Sequence, residues 1–86
     1  MDLHRIDING NVSLRATAFK TGDGPLLTLP ENARPKTRQI FSGVADLDGV
    51  SNPTTVFVEP NGDVTAPHAP RGAEVHLWQV LFNPAD

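Results

Sequence analysis

This sequence predicts a small antiparallel β-sandwich, jelly-roll-like, of six to seven short strands, and three observations predict it. Eight prolines and seven glycines are scattered along 86 residues and leave little room for helices. Apolar residues recur with a period of two wherever a pattern is visible. Turn signals punctuate these stretches at regular spacing, which is the habit of sandwiches and flattened barrels. One domain is expected over 1–86. A chain of this size buries only roughly 60 to 65% of its unfolded surface, so its core alone is marginal. Without cysteine it has neither disulfides nor thiolate zinc sites to help.

The elements follow in order. "LHRIDI" (3–8) alternates His4, Ile6 and Ile8 against Leu3, Arg5 and Asp7, and "NGN" (9–11) tolerates positive φ. "VSLRATAF" (12–19) sends Val12, Leu14, Ala16 and Ala18 to one side, so the two segments are expected to pair as the first hairpin. "KTGDGP" (20–25) is a loop, and "LLTL" (26–29) is a short strand stopped by Pro30, which has no N–H for a ladder. "TRQIFSGVADL" (37–47) is a longer strand and "DGVSNP" (48–53) turns the chain. "TTVFVE" (54–59) and "VTA" (64–66) flank "PNGD" (60–63), where Asn61-Gly62 is expected to close a two-residue hairpin. "PHAPRG" (67–72) is a proline-rich loop before the last strand, "EVHLWQVLFN" (74–83).

That last strand is apolar on both faces. Val75, Leu77 and Leu81 occupy one, while Trp78, Val80 and Phe82 occupy the other with His76. A sandwich strand needs a single buried face. The second is therefore expected to meet another copy of the chain, most economically as a homotrimer, with Trp78, Val80, Phe82 and His76 at the interface. "QIFSGVA" shows the same doubling, with Ile40 and Val44 against Phe41 and Ala45.

"LTLPENARPKTRQIF" (27–41) gathers three of the seven basic residues, Arg34, Lys36 and Arg38, in five positions. Pro30 ends one strand, and Pro35 pushes Arg34 into an extended conformation, so the stretch reads as a stiff crossing between sheet edges. Arg34 is expected to hydrogen-bond carbonyls that the crossing leaves free. With ten acidic residues against those seven, there is no basic face for a polyanion, and no nucleic-acid partner is expected. The first ten residues carry Asp2, His4, Arg5 and Asp7 where a signal peptide needs an apolar run, and no stretch approaches eighteen apolar residues. Neither export nor membrane insertion is expected.

The order of these motifs resembles a β-sandwich domain at the C-terminal ends of bacteriophage tail-fibre, baseplate and receptor-binding structural proteins. The resemblance runs from about residue 6 to residue 82 and rests on Leu29-Pro30 with Arg34-Pro35, on Gln39-Ile40-Phe41, and on Val56-Phe57-Val58-Glu59-Pro60-Asn61-Gly62-Asp63-Val64. The family pattern usually has Gly at Asn32 and an aromatic at Ala33; Asn keeps the turn by taking the left-handed conformation. Pro30, Asn32, Arg34, Pro35, Asn61 and Gly62 are then structural turn residues. The resemblance implies a virion structural protein, made in the host cytoplasm, that helps attach to a host-surface saccharide. The alternative is an architectural capsid decoration or cement protein binding only other virion proteins, which a starting Met with no upstream shaft favours.

No catalytic constellation is expected. Asp46-Leu47-Asp48-Gly49 begins like a calcium loop but lacks the later carboxylates. Asp46 and Asp48 as a glycosidase pair would point the same way. Ser13, Ser42 and Ser51 lack nucleophile-elbow glycines. His4, His68 and His76 have no H-x-H spacing, so neither a metal nor any other cofactor is expected. The polar loops nominate Asp23, Asp46, Asp48, Asn52, His68 and Arg71 as ligand-binding residues. With Trp78 committed to an interface there is no exposed stacking platform, so affinity per site is expected to be weak and useful only when several copies engage.

Overall fold

The period-two segments become strands, and the fold is all-β and antiparallel in two sheets. The computed structural model describes the backbone of residues 4–6 and the whole of residues 10–14 and 17–84. The alternation expected of Leu3, Asp7, Ile8 and Ala16, and the side chain of His4, lie outside the described residues. The strands are β1 (His4–Ile6), β2 (Val12–Leu14), β3 (Thr17–Phe19), β4 (Leu27–Thr28), β5 (Gln39–Leu47), β6 (Val50–Val58), β7 (Asp63–Thr65), β8 (Glu74–His76) and β9 (Leu81–Phe82). One sheet has the order β1-β2-β9, and the other, curled into a nearly closed barrel, has β3-β8-β5-β6-β7-β4. The first hairpin forms as expected, with Ile6 opposite Val12 and His4 opposite Leu14.

Among the described residues nine strands stand where six or seven are expected, because two expected strands each divide between the sheets. Residues 12–19 supply β2 to the small sheet and β3 to an edge of the large one. Residues 74–83 break at a turn over Trp78 and Gln79, giving β8 to the large sheet and β9 to the small one. Inward residues change phase across that break: Val75 and Leu77 are buried before it, Val80 and Phe82 after it. The two apolar faces of the sequence are therefore one inward face interrupted by a turn. This corrects the expected interface. Val80 and Phe82 belong to the core, Trp78 stands 70% exposed in the turn, and His76 lies on the outer face of the large sheet.

A single cluster unites the sheets, with Val12, Leu14 and Phe82 from the small one and Ala45, Val56, Val58, Val64 and Val75 from the large one. Phe41 and Phe82 meet across it with ring centres 6.3 Å apart. The β5–β6 hairpin turns at Asp48-Gly49, both at positive φ (53° and 80°), so Val50 to Pro53 extend β6 and are not the expected turn.

The proline corner and the β6–β7 turn form one packed unit. Glu31–Ala33 make a 3₁₀ turn closed by the Ala33 N–H on the Pro30 carbonyl, so Asn32 keeps a negative φ and is not left-handed. Arg34 Nε donates to the Leu29 carbonyl at 3.0 Å, as the crossing demands, and the Leu29 N–H donates to the Gly62 carbonyl. The β6–β7 loop holds Pro60, Asn61 and Gly62, and the Gly62 N–H returns to the Glu59 carbonyl. Only Gly62 has positive φ (94°), so the expected two-residue hairpin gives way to a three-residue loop.

Candidate functional site

Parity along β5 turns Phe41, Gly43 and Ala45 inward and Ile40, Ser42, Val44 and Asp46 outward. Register then assembles a row on the outer face of the large sheet. Asp46 stands opposite Ser51 of β6 and opposite Glu74 of β8, and Glu74 stands opposite Phe19 of β3. In the next row His76 lies between Val44 and Thr17. Four strands thus bring two carboxylates, an imidazole, a hydroxyl and an exposed phenyl ring to one patch.

The polar groups are joined. His76 Nε2 lies 2.6 Å from Asp46 Oδ2 and 3.5 Å from Glu74 Oε1, while the Ser51 hydroxyl donates to Asp46 Oδ1. Since a carboxylate can only accept, His76 carries its proton on Nε2. The hydrogen bond from Ser51, and after it the one from His76, hold the Asp46 carboxyl below its ordinary range against the desolvation that would raise it. Each of Asp46, Glu74 and His76 offers a donor atom within 4.8 Å of the other two.

This order of residues is not a nucleophilic relay. Such a relay places the imidazole between hydroxyl and carboxylate, whereas here the carboxylate sits in the middle and accepts hydrogen bonds from both the serine hydroxyl and the imidazole. What the patch can do is accept hydrogen bonds from ligand hydroxyls or hold a cation.

The six nominated ligand residues do not converge. Asp46 is in the patch, Asp48 is in the β5–β6 turn, and Asn52 is exposed farther along β6. Asp23 and Arg71 form an exposed ion pair at 3.7 Å, and Asp23 and His68 line an open groove of about 400 Å³ together with Phe57 and Thr65. Arg38 caps the Phe57 ring at 4.9 Å and is held by both carboxylate oxygens of Glu59, with Nη2 at 2.8 Å. Lys20, which also lines this groove, is buried, its ammonium donating to the carbonyls of Ala66, Pro67 and Ala69. It ties down the proline-rich loop rather than reaching for a ligand.

Sequence reasoning overlooked Glu74, Ser51, Phe19 and Lys20. Phe19 and Glu74 join the site only through the β3–β8–β5 pairing, across separations that no local pattern reveals, and Ser51 joins it through the β5–β6 hairpin, whose turn lies at Asp48-Gly49. No family model, curated protein or solved structure matches this chain.

Proposed function

We propose that this chain is a non-enzymatic recognition module of a bacteriophage virion, of the tail-fibre or baseplate-tip kind, that attaches to a host-surface saccharide through the outer face of its large sheet. The observation that carries the binding reading is the row Phe19, Glu74, Asp46, Ser51 with His76 beside it. Saccharides are held by carboxylates that accept pairs of hydroxyl hydrogen bonds, next to an aromatic ring that packs on the sugar's C–H face. Phe19, 63% exposed, supplies such a ring beside the carboxylates, and Trp78, 70% exposed, is not committed to the interface that the sequence led us to expect. The virion setting rests on the sequence resemblance alone.

An open sheet face makes few contacts per site, so attachment works through several copies at once. The test is a multimer tethered on streptavidin and passed over immobilised bacterial capsular and lipopolysaccharide glycans. Binding should occur, fall sharply in Phe19→Ala and Asp46→Asn, and persist in Arg71→Ala. Ile40 and Val44 are exposed on the same face and favour a second reading, architectural docking onto other virion proteins. A multimer that retains purified virion proteins but no glycan makes that second reading the correct one.

A further inference from the structure

We propose that Asp46, Glu74 and His76 form a binding site for a divalent first-row transition ion, with Zn²⁺ as the type. The inference goes beyond the recognition reading and does not rest on it. Two carboxylates directly opposite on neighbouring strands repel each other, an arrangement that sheets avoid unless something positive lies between them. Both aim an oxygen at the same imidazole nitrogen, His76 Nε2, at 2.6 and 3.5 Å. Even a protonated His76 leaves the trio with a net negative charge, whereas a divalent ion neutralises both carboxylates.

The dimensions suit such an ion. Donors about 2.0 to 2.2 Å from a tetrahedral Zn²⁺ stand roughly 3.4 Å from one another. Glu74 Oε1 is already at 3.5 Å from His76 Nε2, and Asp46 Oδ2 needs to withdraw by roughly 0.8 Å as the ion takes the Nε2 lone pair, the proton passing through solvent to Nδ1 of a neutral ring or being released to solvent from a charged one. One imidazole with two carboxylates selects Zn²⁺ over Mg²⁺ or Ca²⁺, which prefer oxygen alone. Ser51, bonded to the other oxygen of Asp46, fixes that carboxylate as an outer partner of a ligand does. All three donor residues are a third or so exposed, leaving a fourth position open to water or a ligand oxygen.

The experiment is calorimetric titration of the full chain, free of any tag, with Zn²⁺, Co²⁺ and Ca²⁺, with Co²⁺ visible absorption as a second readout. Zn²⁺ should bind at one equivalent. Glu74→Gln and His76→Ala should each weaken it by tenfold or more, and Ser51→Ala by about tenfold, with His68→Ala unchanged. The Co²⁺ absorption should fade in the same variants. Glu74→Gln keeps the side chain's shape and decides the matter should His76→Ala fail to fold. Absence of saturable Zn²⁺ binding, binding indifferent to Glu74→Gln, or Ca²⁺ binding as tight as Zn²⁺ overturns the proposal.

Discussion

A Cβ added at Gly62 would sit 2.6 Å from the Leu29 carbonyl oxygen and 2.7 Å from Arg34 Nε, and the residue holds φ at 94°. Gly49 has a similar φ of 80° but open space around it. The pair separates two costs that usually travel together. Gly49→Ala should lose about 1 kcal/mol, the strain of a left-handed alanine. Gly62→Ala should lose that and more, about 2 to 4 kcal/mol, because the Arg34–Leu29 hydrogen bond must also move. Denaturant midpoints measure both, and equal losses would show that the corner yields freely. Lys20 presents the converse case, a buried charge that is fully satisfied. Lys20→Met keeps the stem and deletes the donors, leaving three loop carbonyls to find other partners, and should cost about 2 to 4 kcal/mol by the same measurement.

At the scale of elements, Arg38 before β5 and Glu59 after β6 clamp the open end of the longest hairpin. The hydrogen bonds from Arg38 hold the Glu59 carboxyl below its usual value, so the folded chain takes up its proton later on acidification than the unfolded chain does. The clamp therefore contributes fully above the ordinary glutamate pKa, and its contribution is lost as pH falls through the lower folded value. Melting temperature should drop as pH falls through the ordinary glutamate value of 4.5 and on through the lower folded one, and Glu59→Gln should be less stable above that range with a shallower drop across it. A parallel pair of curves would mean that the clamp adds nothing.

Elements are also where the sequence is most and least legible. Period two, Pro30 and the Asp48-Gly49 and Asn61-Gly62 signals mark strands and turns because they act through neighbouring residues. Changes of sheet are harder to read: at Trp78-Gln79 a phase slip of one residue moves the buried set from Val75 and Leu77 to Val80 and Phe82, and an uninterrupted strand with two apolar faces has the same composition. The Asp46–Glu74–His76 patch is illegible for a related reason, since Asp46 and Glu74 lie 28 positions apart and their pairing is chosen by the whole fold.

For the whole molecule, the decisive consequence of that phase slip is which aromatic side chain holds the chain together. Phe82, 7% exposed, comes from the small sheet and meets Phe41 of the large one, so it ties the two layers across the shared core. Trp78, four residues earlier, contributes its ring to no such contact among the described residues and is 70% exposed. Phe82→Ala should cost about 3 to 5 kcal/mol, a large part of the total stability of a domain this small, and should lower the midpoints seen by circular dichroism and by Trp78 fluorescence together. Trp78→Ala should shift the circular-dichroism midpoint by less than about 0.5 kcal/mol. In the native chain Trp78 emission should be red-shifted and quenched by acrylamide to the same extent across a wide range of protein concentration. Should dilution instead unveil a Trp78 that is shielded at high concentration, the turn is a contact between copies, and self-association through Trp78 survives the burial of Val80 and Phe82.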